Sequence, residues 1–145
     1  MIDGRLVAYL AYLAYFTYLA MNDDLYKEEI LEHYWDPHNH GVLEHPDATA
    51  EELNVLCGDT IRMDFAIANG KIMDVRFQGE GCAISKAAAS MLTDVLKGKD
   101  LQQAQAITQK DIFNLLKIPI SPARTKCALL GFEVMKKALC PPPTK

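Results

Sequence analysis

The stretch Asn54–Phe65, NVLCGDTIRMDF, sets Cys57 one residue before a glycine and two before Asp59, where an alternating apolar pattern begins. A buried structural cysteine needs neither neighbour. A thiolate beside flexible backbone, with a carboxylate close by, supplies the ligand types of a metal site. Cys82 lies in QGEGCAISKAAAS, where the strand-like pattern gives way to an alanine-rich helical one. A helix N-terminus offers free N–H groups and about half a positive charge, and both favour thiolate over thiol. Cys127 lies in SPARTKCALL, directly after Arg124 and Lys126, and cationic neighbours lower a thiol pKa. No CxxC pair is present, so these three junctions can converge only through the fold.

Other reactive side chains are read more plainly. Lys126 is either a solvated helix charge or an auxiliary to Cys127. His33, His38, His40 and His45 fall within thirteen residues but lack regular ligand spacing, and are assigned to loop or helix surface. Cys140, beside three prolines, is a bystander. Met63, Met73, Met91 and Met135 stand at apolar positions and are assigned to the core.

Positioning the cysteines requires particular elements. Asp23 or Asp24 can cap a helix running to about Tyr34, with Tyr26, Ile30, Leu31 and Tyr34 at helical spacing. WDPHNHGVLEHPDA is a loop by its Pro, Asn, Asp and Gly content. Ile61, Met63, Phe65 and Ile67 alternate with Arg62 and Asp64. Asn69-Gly70 is a type I′ turn dipeptide, and Met73, Val75 and Phe77 resume the alternation after it. A third strand is expected around Glu52–Leu56. Residues 83–97 form a helix ending at Gly98. Short helices follow at Leu101–Gln105 and Lys110–Leu116, the latter capped by Thr108. Ser121-Pro122 opens a last helix whose Leu130, Val134 and Ala138 face one way. The pattern predicts an α+β fold: a small three-stranded antiparallel sheet with helices on one face, one helix before it and the others after.

The chain has 145 residues, half of them apolar, and a net charge of −4. That is one domain's length and the balance of a globular protein. Its cations form no stripe of the kind nucleic-acid binding needs, so no nucleic-acid partner is expected. Four widely spaced cysteines do not make a disulfide scaffold, and a reducing, cytoplasmic setting is expected. After Arg5 comes LVAYLAYLAYFTYLAM, sixteen uncharged residues, shorter than the roughly 20 of a membrane-spanning helix. Residues 1–20 are read as an extension outside the functional fold, with membrane contact not favoured. Residues 21–139 are the working domain and 140–145 a tail.

NxxCGD, then GxGCAIS, then a Lys–Cys pair opening the C-terminal helix resemble the U-type iron–sulfur cluster assembly scaffolds, the IscU, NifU N-domain and SufU family. LYKEEILEHYWDPHNHG is similar to the family's N-terminal helix and Asn-Gly loop, so the resemblance covers about residues 25–139. It implies that Cys57, Cys82 and Cys127 bind the cluster and receive sulfur, with Asp59 as the acidic residue of the site. Many members have histidine before the third cysteine, where this chain has Lys126, so Asp59 is the expected fourth ligand. The 45 positions between Cys82 and Cys127 match the shorter spacing of cluster-building members. SPARTKC departs from the Leu-Pro-Pro-Val-Lys motif of chaperone-dependent members, and an Hsc-type chaperone partner is not expected.

The resemblance implies a scaffold that assembles a [2Fe–2S] cluster with sulfur from a cysteine desulfurase and passes it to apo-proteins. It has no turnover chemistry of its own, and Cys127 is the expected persulfide acceptor. The alternative is a zinc-dependent sulfurtransferase of the SufU type, with the ion held by the same Cys57, Asp59, Cys82 and Cys127. The same ligands could also hold zinc in a cluster-free form. Whether the chain forms a homodimer or a higher oligomer stays open.

Overall fold

A computed structural model of the chain describes residues 4–140, with residues 15–26 described as backbone. Helix α1 spans Gly4–Trp35 and is followed by strands β1 (Ala48–Asn54), β2 (Asp59–Ala68) and β3 (Lys71–Glu80). Helices α2 (Ala83–Leu96), α3 (Leu101–Gln105), α4 (Gln109–Leu116) and α5 (Thr125–Leu139) complete the chain, with a 3₁₀ turn at Pro122–Arg124 before α5. The strands form one antiparallel sheet in the order β1-β2-β3. This is the α+β fold expected from the pattern.

Period-two alternation on β2 puts Ile61, Met63 and Phe65 on one face, where they join Ile72, Val75 and Phe77 of β3 in the core. Helix α2 covers β3, α5 covers β1 and β2, and α1 lies on α2. Burying each such side chain contributes about 1.5–3 kcal/mol, so this apolar layer is what holds the helices to the sheet. The opposite face is crossed by the segment 36–47. Its Gly41 N–H bonds the Phe77 carbonyl at 2.9 Å and its Asp47 N–H bonds the Phe65 carbonyl at 2.8 Å. Midway, the Leu43 N–H donates to buried Asp64 at 3.1 Å, and Thr49 Oγ1 donates to the same carboxylate at 2.7 Å. Burial pushes the Asp64 carboxyl up, but these donors and Arg62 outweigh it and hold it below the usual carboxylate range.

Four expectations change. Helix α1 is continuous from Gly4, so neither Asp23 nor Asp24 begins it. Aspartate costs a helix interior only about half a kcal/mol, and the preceding Leu/Ala-rich run propagates straight through. Among the described side chains of that helix Ile30 and His33 are buried and Leu31 is exposed, while the Tyr26 side chain lies outside the described residues. Strand β1 ends at Asn54, not Leu56, because Asn54 pairs with Asp59 and residues 55–58 make the turn. Met73 is 59 % exposed, because a bulge pairs Ile67 with Ile72 and Ala66 with Asp74, leaving Met73 as the extra residue. Met63, Met91 and Met135 are buried as expected.

The Asn69-Gly70 turn has φ of +53° and +72°, the double positive φ of type I′. Thr108 caps α4, its Oγ1 accepting the Asp111 N–H while Asp111 accepts the Thr108 N–H at 2.9 Å. Gly98, at φ +84°, follows α2. The last helix begins as expected at Ser121-Pro122, but its first turn is 3₁₀, closed by the Arg124 N–H on the Ser121 carbonyl at 2.9 Å. Among the described residues no helix is long and apolar enough to cross a membrane.

Candidate metal centre

The β1–β2 turn is built around Gly58. Its N–H bonds the Asn54 carbonyl at 2.8 Å, and its φ of +72° suits glycine where a Cβ would be strained. The turn leaves Cys57 exposed at its tip and delivers Asp59 into the first position of β2, where it is only 2 % exposed. Asp59 Oδ1 accepts the Cys82 N–H at 3.3 Å. Asp59 Oδ2 is buried with no hydrogen-bond partner.

Cys82 is the N-cap residue of α2, so its sulfur sits among the free N–H groups of the first turn. Ser85, one turn on, donates to the Cys82 carbonyl at 3.0 Å and lies 3.8 Å from its sulfur. Burial pushes the Cys82 thiol up, but the Ser85 N–H and hydroxyl and the Ile84 N–H outweigh it, so the thiol ionises more readily than an ordinary cysteine. Gly81 leaves the necessary room. A Cβ there would stand 2.5 Å from Ser85 Oγ and 2.9 Å from Asp59 Oδ1.

Cys127 enters from the first turn of α5 and is fully buried. Its sulfur lies 3.4 Å from that of Cys57 and 3.8 Å from Asn54 Nδ2. The expected cationic activation does not decide its state, because Arg124 and Lys126 are exposed. Burial first, then the Cys57 thiol and the Asp59 carboxylate, push the Cys127 thiol well above its ordinary value. Cys57, Asp59 and Cys127 each offer a ligand atom within 4.8 Å of the other two. Cys82 borders this trio through Asp59 and adds to the upward push on Cys127.

Two cysteine sulfurs, a third at a helix N-terminus and an unpaired buried carboxylate oxygen form a donor set suited to zinc or to cluster iron. A family model described as the NifU-like N terminal domain matches residues 25–143. The chain belongs to the NifU-like N-terminal domain family. It is 34% identical over 140 residues to the zinc-dependent sulfurtransferase SufU of Bacillus subtilis, covering 85% of this chain and 95% of that protein. It is 38% identical over 116 residues to the iron-sulfur cluster assembly scaffold protein IscU of Aquifex aeolicus, covering 79% of this chain and 73% of that one. Among solved structures, one from Fervidobacterium islandicum, given as a cluster assembly scaffold for the SUF system, superposes with a TM-score of 0.69 at 27% identity. It covers 77% of this chain and 94% of that one.

Within this NifU-like domain, two site residues went unremarked in the sequence. Asn54 opens the NxxCGD motif, and its buried amide reaches Cys127 while its Oδ1 accepts the Leu56 N–H at 3.3 Å. Ser85 closes GCAIS, three residues after Cys82, and that i, i+3 spacing at a helix start was the available signal. Among the described residues Lys126 makes no recorded contact with a sulfur. It edges an open groove of about 450 Å³ beside Val55, Leu56 and Glu133. Cys140 is exposed at the end of α5, remote from the site by fold as by sequence.

Proposed function

We propose that this chain is a scaffold for iron–sulfur cluster assembly, building a [2Fe–2S] cluster as cargo on Cys57, Asp59, Cys82 and Cys127. The observation that carries the reading is Asp59 Oδ2, a buried acceptor with no donor, held in the same small space as two cysteine sulfurs. An unpaired buried acceptor costs about 1–3 kcal/mol, and a bound cation would remove that cost. Family membership and the IscU relative point the same way.

In this reading sulfur arrives from a cysteine desulfurase at Cys57, the exposed member of the set, and Cys127 receives it next across 3.4 Å. Attack by the Cys57 thiolate on the terminal sulfur of the desulfurase persulfide forms one S–S bond and breaks another, releasing the desulfurase thiolate. For the sulfur to reach Cys127, the acceptor expected from sequence, its thiol must first give up its proton. Its thiolate then bonds the outer sulfur of the Cys57 persulfide as that S–S bond breaks and the Cys57 thiolate leaves. The completed cluster passes to apo-proteins. A reducing compartment, the cytoplasm, suits four free thiols.

The second reading, a zinc-dependent sulfurtransferase using the same four ligands, is favoured by the SufU relative, whose similarity spans 95% of its length. Anaerobic purification with metal analysis and an absorption spectrum separates the two, since a cluster absorbs in the visible and zinc does not. Within the first reading, Cys57→Ser, Cys82→Ser and Cys127→Ser should each abolish stable cluster formation on reconstitution with iron and desulfurase. Cys140→Ser should leave it intact. A Cys82→Ser chain that kept the cluster while Cys140→Ser lost it would sink the assignment.

A further inference from the structure

Toward the C-terminal half of α2, away from the Cys82 cap, the end of α1, the loop after it and α2 itself gather a second set of ligand-type side chains. His33, His38 and Asp94 each present a ligand atom within 4.8 Å of the other two. The surface assignment made for His33 from sequence does not hold, since it is 8 % exposed. The His38 and Asp94 side chains remain about half exposed, at 55% and 45%. The two imidazole rings lie 4.4 Å apart between centroids.

A layer of hydrogen bonds behind these groups holds them in place. His33 Nδ1 is 2.6 Å from Ser90 Oγ, and the same oxygen accepts the His38 backbone N–H at 2.8 Å. Asn39 Nδ2 donates to Asp94 Oδ1 at 3.0 Å, leaving Oδ2 against His38 Nδ1 at 2.6 Å. Fixing one ring nitrogen or one carboxylate oxygen so that the other is aimed is how proteins orient metal ligands.

We propose that His33, His38 and Asp94 form a second metal site, separate from the sulfur site, for a divalent cation of the zinc or nickel kind. Two imidazoles and one carboxylate suit these ions, whereas magnesium and calcium demand oxygen ligands. Three protein ligands with an open outer side leave the fourth position to water. Ser90 Oγ has two lone pairs, one taken by the His38 N–H and the other able to accept His33 Nδ1–H. That tautomer leaves His33 Nε2 as its ligand atom. An entering ion displaces the proton shared by His38 Nδ1 and Asp94 Oδ2. It also spreads those atoms toward the roughly 3.4 Å edge of a tetrahedron with bonds of about 2.1 Å. Both side chains are about half exposed, which leaves room for that shift. The ion then ties the end of α1 to α2.

The test is zinc titration by calorimetry of the metal-free full chain, the His38→Gln and Asp94→Asn variants, and a Cys57→Ser/Cys127→Ser chain. His38 and Asp94 are exposed, so both single variants keep the fold. The expected result is a zinc-binding event that survives the double cysteine substitution and is weakened at least tenfold by His38→Gln and by Asp94→Asn. In the wild-type background each of those variants should bind one zinc fewer. The proposal is overturned if neither variant changes stoichiometry or affinity, whatever the sulfur site does.

Discussion

Asp59 stands with one oxygen bound to the Cys82 N–H and the other enclosed without a donor. That arrangement makes it a ready ligand and also a weak one, since a carboxylate is a harder and more loosely held partner for cluster iron than a thiolate. A scaffold must release what it builds, and the ligand that leaves first sets the release. Ligand strength alone does not set the direction, since water or another residue can take the vacated position. The family resemblance implies an aspartate that promotes transfer, so Asp59→Ala is expected to assemble a cluster but to hand it to an apo-ferredoxin several-fold more slowly, followed by circular dichroism. Unchanged transfer kinetics would remove Asp59 from the mechanism, and failure to assemble would make it an anchor. The thiols divide by the same local logic: Cys82 gains N–H and hydroxyl donors at a helix start, while Cys127 gains burial and a carboxylate neighbour.

At the scale of an element, β3 shows how one residue of slippage reassigns a side chain. The bulge places Ile72 opposite Ile67 and ejects Met73, so two adjacent apolar residues have opposite energetic weight. Ile72→Ala should cost about 2–5 kcal/mol by opening a cavity in the core. Met73→Ala should stay within about 0.5 kcal/mol, as an exposed substitution does. Denaturant midpoints of the two variants measure the contrast, and equal losses would mean that the bulge is elsewhere. The β1–β2 turn follows the same principle. Val55 and Leu56 look like strand residues, yet both are exposed, because residues 55–58 turn the backbone to bring Asp59 inward.

For the molecule as a whole, the open question is how residues 1–20 relate to the rest. From Gly4 onward they form the first part of α1, and Leu6, Val7, Tyr9 and Leu10 are each at least half exposed. Side chains this exposed contribute little burial energy to the domain. A chain beginning at Met21 is therefore expected to melt within a few degrees of the full chain and to bind metal equally. Thermal melts and metal content of the two chains check this. A clear loss of either on truncation would show that the extension packs on the domain.

The order of elements, the hairpin and its turn, the caps of α2 and α4, and the cysteine junctions were all legible in the sequence. Each depends on interactions within a few residues: alternation, a dipeptide with positive φ, or a hydroxyl three residues from an N–H. Cys57, Asp59 and Cys82 could be singled out for the same reason, since they stand in short motifs. Other features were set only by contacts distant in sequence. The bulge at Met73 depends on how two strands settle against the helices above them. The state of Cys127 depends on what surrounds it across some 70 residues of separation, and burial there outweighs the charges next to it in the chain. His33, His38 and Asp94 meet only because α1 docks on α2, across 56 residues between His38 and Asp94. Local patterns determine elements because their energies are local; site composition and burial are sums over the packed fold, and no window of sequence contains them.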